Sequence, residues 1–475
     1  MSAEYHTREQ RYTPAEAQFH TSSQYPKPAN WTGSVWAIRN DYPPPPPGFA
    51  PGGGPIALPL PDFPHTQLDA PWLKVDFKTK PDEYANTVRE YCWEGNRQVD
   101  FVVQKNTQRA WYHAPWMHAS ANGREPLKGL TFERSIPPHE FAAKQTHALQ
   151  NWAIGFYNSA GASTFGYVWH NPNEPNWTQN LKFPQGTCVF KLLLTTATED
   201  QVFTMKGSPS WPAVISPQPD PTVAPPSGAK RNAFDSKVYL IQVDWAVVDA
   251  RSPIGWVFGT FMYNGNDKEN KDAWDRLISV GIQWGNDPEL DQAAYDSGKR
   301  PVESWINPEA EKLRKALGGK RPSWGYNGRL NGPADNFISA CASCHSVAQM
   351  VTSAPMTQPG KLVNNQWKPE NEKLTMTWFE NVKAGETFSV RGALSGDYSL
   401  QLMIGFDNYK LWLAKQAPPA KHVLYSLPGR RVVFRAKPGA VEKTSEEKEL
   451  IQEVLDSIVV EQEPARNGPA LEWTV

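Results

Sequence analysis

Cysteine is scarce in this chain, with four residues among 475, and methionine is nearly so, with eight. So few thiols exclude a scaffold stapled by many disulfides, and a chain this long can bury enough apolar surface to fold without them. No stretch approaches the roughly 18 consecutive apolar residues that a membrane-spanning helix needs. Excess charge of either sign is missing too: 48 Lys and Arg stand against 49 Asp and Glu, a net charge of −1. No whole-chain field therefore favours a polyanion, and no nucleic-acid partner is expected. The sequence also lacks a nucleophile elbow, a P-loop and a dinucleotide fingerprint; Gly52-Gly53-Gly54 follows a proline run and reads as linker, not as a phosphate cradle. No unit repeats along the chain.

What the chain has instead is proline (44), glycine (33) and tryptophan (20). That composition points to turn-rich β structure with long loops, and the length suggests two or three domains. Tryptophan and tyrosine also suit sugar stacking, but without an array of them the simpler reading is core and loop anchoring. Val238 to Val248 alternates as a strand with Tyr239, Ile241, Val243, Trp245 and Val247 on one face and Gln242 and Asp244 on the other. Gly255 to Tyr263 reads as its antiparallel neighbour, Cys188 to Thr196 as a third strand, and Gly155 to Val168 as a hairpin turning through small residues. Together they predict a sandwich or a barrel-like sheet. Pro209 to Pro226 reads as a surface excursion.

Helices are expected later. Asn307-Pro308-Glu309 supplies an N-cap, Pro at the first helical position and an acidic first turn, and Gly318-Gly319 ends that helix. Further candidates are Glu370 to Val382 and Asp397 to Lys415. Val423 to Arg435 resembles a hairpin around Pro428-Gly429, and Thr444-x-x-Glu447 is a capping box ahead of the stripe Leu450, Ile451, Val454, Leu455, Ile458.

The most specific feature is Cys341-Ala342-Ser343-Cys344-His345. Two thiols three positions apart on a helical turn suit thioethers to the two vinyl groups of one porphyrin, and the adjacent imidazole then reaches the iron. One haem c is the expected cofactor, with Cys341 and Cys344 as attachment points and His345 as the proximal axial ligand. A redox dithiol would sit at the end of a strand in a βαβ unit, which the pattern does not show. A zinc site would need a second ligand pair, and Cys92 and Cys188 are far apart in sequence. The sixth ligand decides between electron transfer and ligand chemistry; Met350 is too close to His345, Met356 can be considered, and Met376 or Met403 is the favoured candidate. A second cluster, Trp111 to His118, carries His113 and His118 among aromatics, which suits copper or another metal, acid-base chemistry or a distal haem ligand or, more simply, packing with polar tips near the surface.

The segment around Cys341-Ala342-Ser343-Cys344-His345 resembles a cytochrome c domain. With phrases such as Gln150-Asn151-Trp152-Ala153-Ile154-Gly155-Phe156-Tyr157 and Gly255-Trp256-Val257-Phe258-Gly259-Thr260-Phe261, the chain is similar to large, mostly bacterial cytochrome c family proteins. That resemblance implies haem binding and electron transfer, and it implies no substrate. The expected organisation is α+β and multidomain. Residues 1–55 form an irregular Pro/Gly-rich arm and linker, 56–324 a β-rich domain, 325–420 a mainly α-helical haem-binding module, and 421–475 a hairpin and helical tail on the body. The expected function is that of a mono-haem c-type cytochrome working with an unidentified redox partner protein. The alternatives are an oxidoreductase whose β-rich domain binds a small molecule or sugar, or a haem-based sensor. Haem attachment implies a periplasmic or otherwise extracytoplasmic site, or the mitochondrial intermembrane space. The polar start Met1-Ser2-Ala3-Glu4-Tyr5-His6 does not read as a signal segment, so the expectation is that one is missing from this chain or that targeting is atypical, the alternative being a motif that is never loaded.

Overall fold

The structure is a computed structural model that describes residues 27–43, 69–117, 123–171, 175–177, 181–215, 236–350, 354–363, 366–388, 393–416, 423–427, 430–436 and 458–462. Its frame is one nine-stranded antiparallel sheet built from β1 (Trp111–Tyr112), β2 (Thr131–Ile136), β3 (Leu149–Asn158), β4 (Cys188–Thr195), β5 (Ser210–Ala213), β6 (Ser236–Val248), β7 (Trp256–Tyr263), β8 (Leu277–Gln283) and β9 (Ser304–Ile306). The order is β1-β3-β4-β6-β7-β8-β9, with β2 also on β3 and β5 also on β6. The described strands form an open sheet rather than a closed barrel, and no second sheet of comparable size lies among the described residues.

Both faces of the sheet are covered. On one, Trp152, Phe156, Phe190, Leu192, Val243, Trp245 and Val247 pack with α1 (Pro81–Trp93) through Tyr84, Val88, Tyr91 and Cys92. Trp36, from the segment read as an arm, is buried in the same core. The other face packs against α2 (Ser159–Val168), α4 (Pro308–Leu317), α5 (Cys341–Ser346) and α7 (Leu400–Gln416), while α3 (Gln292–Asp296) and α6 (Glu372–Thr377) are further short helices of the chain. Ala310 and Leu317 of α4 share a core with Leu193, Ile241 and Val280, while Ala342 of α5 and Leu402, Phe406 and Tyr409 of α7 share one with Tyr157 and Phe258. Apolar packing thus runs without a break across position 324. The described part of 325–416 interleaves three helices with short strands β10 (Gln349–Met350), β11 (Gly360–Val363), β12 (Gln366–Pro369) and β13 (Leu394–Ser395).

Three local expectations are corrected. Gly155 to Val168 is not a hairpin: β3 runs to Asn158 and α2 follows at once, because the Asn158 side chain accepts from the Gly161 N–H as an N-cap. The small residues that suggested a turn allow close packing instead; a Cβ on Gly166 would come within 2.5 Å of the Pro43 carbonyl oxygen. In β6 the alternation slips, since the pairing jumps from Leu193↔Gln242 to Leu194↔Leu240 and leaves Ile241 bulged. Val238 and Leu240 therefore join Val243, Trp245 and Val247, while Tyr239 and Ile241 turn to the opposite face, that of Gln242. The excursion from Pro209 begins with a paired strand, β5, whose Trp211 is buried; residues 216–235 lie outside the described residues.

The helix opened by Asn307 is α4, capped by the Asn307 side chain and ended by Gly318 at φ 65°. Beyond α7, β14 (Val423–Leu427) pairs with β15 (Arg430–Ala436), and β15 with β16 (Ile458–Gln462). The helical stripe from Leu450 lies outside the described residues up to Ile458, which is in β16.

Candidate functional site

The motif forms α5, a helix of six residues. Its start is held from both sides: Ser343 Oγ accepts from the Ala340 N–H at 2.8 Å, and the Gln283 side chain of β8 accepts from the Ala342 N–H at 2.9 Å. The preceding loop is fastened by two buried arginines. Arg329 donates to the carbonyls of Asn286, Tyr326, Asp287 and Leu290, and Arg321 to those of Pro333, Asp335, Trp324 and Gly332. Burial pushes both guanidinium groups down to about 10, which leaves them charged at neutral pH. Charge-assisted bonds to eight carbonyls fix where the helix begins.

Positions i, i+3 and i+4 share a helix face, so Cys341, Cys344 and His345 project together. All three line one cavity of about 530 Å³, while Ala342, Ser343 and Ser346 are buried behind them. The far wall is the sheet, through Gly155, Tyr157, Val189 and Leu193 of β3 and β4 and Ala246 and Phe258 of β6 and β7. Gly155 leaves room where a Cβ would lie 2.6 Å from the Gln401 amide.

The His345 ring is fixed. Its Nδ1 lies 2.8 Å from the Tyr398 carbonyl oxygen, which can only accept, so Nδ1 carries the proton and Nε2 a free lone pair. Burial pushes this imidazole down to about 4, so it is neutral at pH 7. The carbonyl is aimed by an unusual backbone: Asp397 and Tyr398 both have positive φ, 46° and 66°. Such a pair is strained by a few kcal/mol at most, and it is held by the Asp397 carboxylate, which accepts from the N–H groups of Phe183 and Gly385, and by the Tyr398 hydroxyl, which donates to the Val382 carbonyl. Burial raises the Asp397 carboxyl to about 6.

Burial also pushes the Cys344 thiol up to about 12, and burial together with the charges of Asp244 and Asp335 holds Cys341 well above the ordinary thiol range. Protonated thiols are poor zinc ligands and slow redox nucleophiles. Among the described residues, no three His, Cys, Asp or Glu side chains converge as a bare metal ion requires. A porphyrin asks less of the protein, since it brings four nitrogens of its own, and the donor set here is one fixed imidazole beside two thiols in a cavity of ligand size.

Neither favoured distal methionine lines this cavity. On α7 the lining positions are Leu400, Gln401 and Ile404, and Met403 is buried on another side; Met376 packs beside the cluster of Tyr326, Trp378 and Phe379. Met117 and the exposed Met356 are the methionines that line it. Met117 belongs to the aromatic stretch whose histidines had drawn attention. His113 itself is fully buried with its Nδ1 accepting from the Arg39 N–H at 2.9 Å, and His118 lies outside the described residues.

One end of the cavity is polar, a feature the motif does not announce. Lys191 of β4 lies 3.2 Å from Asp244 and 3.7 Å from Glu133, and the Gln242 amide bridges Asp244 and Asp335 at 2.5 and 2.6 Å. Burial opposes the Lys191 ammonium, but Glu133, Asp244 and Asp335 outweigh it and hold its pKa well above the ordinary value. Burial, then repulsion from Asp335, raises the Asp244 carboxyl. The signal in the sequence was a charge inside each of two apolar strands, Lys191 in CVFKLLLT and Asp244 in VYLIQVDWAVV. No family model, curated protein or solved structure matches the chain. No helix among the described residues is long and apolar enough to cross a membrane.

Proposed function

We propose that the chain is a mono-haem c-type protein of one-electron transfer, with residues around 325–420 serving as its cytochrome-like module against the sheet. The observation that carries this reading is the convergence of Cys341, Cys344 and the fixed His345 on one cavity. Bound there, haem iron supplies reversible one-electron chemistry between its ferrous and ferric states. Cys341 and Cys344 would hold the porphyrin covalently, and His345 would offer Nε2 because the Tyr398 carbonyl keeps the proton on Nδ1. The apolar wall of Tyr157, Val189, Leu193 and Phe258 would keep water from a bound porphyrin. Thioether attachment would go with a periplasmic or otherwise extracytoplasmic site, or with the mitochondrial intermembrane space.

A second reading, a haem oxidoreductase acting on a small molecule, draws support from Asp244, which lines the same cavity with its carboxyl raised toward neutral pH and so suits proton delivery, with Lys191 and Asp335 as charged neighbours there. The experiment is a pyridine haemochrome spectrum of the exported, denatured chain beside Cys341→Ala/Cys344→Ala. The parent keeps its haem through denaturation and the double variant releases it; a parent that releases haem refutes the assignment. In the native protein, a six-coordinate low-spin spectrum goes with electron transfer. High-spin haem that binds carbon monoxide goes with the second reading.

A further inference from the structure

Cys92 and Cys188 are 96 positions apart in sequence, and the fold brings their sulfurs to 3.7 Å. Cys92 is on the last turn of α1 and Cys188 is the first residue of β4; both are buried in the core beneath the sheet, on the face opposite the cavity. The contact is held by a polar hub. Asn158 Nδ2 donates to the Tyr91 hydroxyl at 3.1 Å, and Asn158 Oδ1 accepts from the Cys188 N–H at 3.1 Å. The neighbour of one cysteine and the backbone of the other are thus tied to a single side chain, itself fully buried. The remaining step is a short one, because a disulfide needs its sulfurs at about 2.05 Å.

We propose that Cys92 and Cys188 close a structural disulfide when the chain folds in an oxidising compartment. The oxidant is a disulfide, either that of a dithiol oxidoreductase or oxidised glutathione. One cysteine thiolate attacks the acceptor disulfide and displaces one thiol; the second attacks the mixed disulfide and displaces the other. Two electrons pass from the cysteine sulfurs to the acceptor, and the two protons given up by the cysteines end on the two released thiols. Because both sulfurs are covered in the folded core, the exchange occurs before α1 docks on the sheet. The bond then pins α1 to the strand whose other face presents Lys191 and Leu193 to the cavity.

The test is peptide mapping of the full chain, exported to a bacterial periplasm, purified without reductant, unfolded in acid and alkylated. The expected result is a linked pair of peptides carrying Cys92 and Cys188, two hydrogens lighter than their sum and separable by reductant. In Cys92→Ser the Cys188 peptide becomes fully alkylated. If that variant fails to accumulate, the thermal unfolding midpoint of the parent serves instead, and it falls by several degrees when reductant is added. Alkylation of both sulfurs in the never-reduced parent overturns the proposal. The same map reads Cys341 and Cys344 separately, so a failure of haem attachment is distinguishable from a failure of this bond.

Discussion

Among the described residues, His113 is buried and His345 half-buried; both are neutral at pH 7, and their hydrogen bonds give them opposite capacities. His345 donates from Nδ1 and keeps a bare Nε2, whereas His113 accepts at Nδ1, so its proton is on Nε2, which has no hydrogen-bond partner among the described residues. A single backbone contact thus separates an imidazole that can ligate from one that cannot. Burial, then the nearby Arg124 charge, pushes His113 down to about 3, below the 6.5 of an exposed imidazole. The unfolded chain therefore takes up a proton near pH 6.5 that the folded chain refuses until about pH 3, and stability is lost as pH falls through that window. Relative to His113→Asn, which keeps an acceptor for Arg39, the parent loses about 3 kcal/mol between pH 7 and pH 4. Chemical denaturation at the two pH values checks this, and parallel profiles for the two proteins contradict it. Spacing within the motif made Cys341, Cys344 and His345 legible, because i, i+3 and i+4 share a helix face whatever the rest of the chain does. Met117 was not legible as a cavity residue, since its position depends on pairings between distant strands.

Elements were readable where local signals agreed. Asn307, Pro308 and Gly318 bracket α4 in the sequence as they do in the structure. They were misread where one residue serves several elements. Asn158 ends β3, caps α2, donates to Tyr91 of α1 and to the Gly186 carbonyl, and accepts from the first residue of β4. Nothing in Gly-Phe-Tyr-Asn-Ser-Ala-Gly distinguishes that hub from a hairpin turn, because three of its partners are remote in sequence. Asn158→Ala removes the hydrogen bonds that this side chain makes to Tyr91, Gly161, Gly186 and Cys188, at a cost of roughly 3–5 kcal/mol. Guanidinium unfolding of parent and variant at neutral pH measures it, and a loss below 1 kcal/mol would show that the hub is dispensable. The bulge at Ile241 was equally hidden, since alternation cannot reveal where a strand gains a residue against its partner.

At the scale of the molecule, the motif-bearing segment and the sheet form one packed body. Gln283 of β8 caps α5, Arg329 is bonded to the carbonyls of Asn286, Asp287 and Leu290, and the cavity has the sheet as a wall. A fragment of residues 325–420 expressed alone is therefore expected to lack fixed tertiary structure, shown as a flat near-ultraviolet circular dichroism spectrum. A cooperative unfolding transition of that fragment would argue for an autonomous module. The antiparallel, β-rich character was legible from composition and alternation; closure was not, because it depends on whether the first and last strands meet. The margins of that open sheet have a further consequence. One ends in β9, three residues long, and the other is shared by the two-residue β1 and by β2, where Glu133 is bulged out between Phe132 and Arg134. An open sheet offers unpaired amide and carbonyl groups to any passing strand, and short, charged, irregular margins deny that strand a template. The kink that brings Glu133 beside Lys191 thus also guards a wide apolar sheet against growing by self-association.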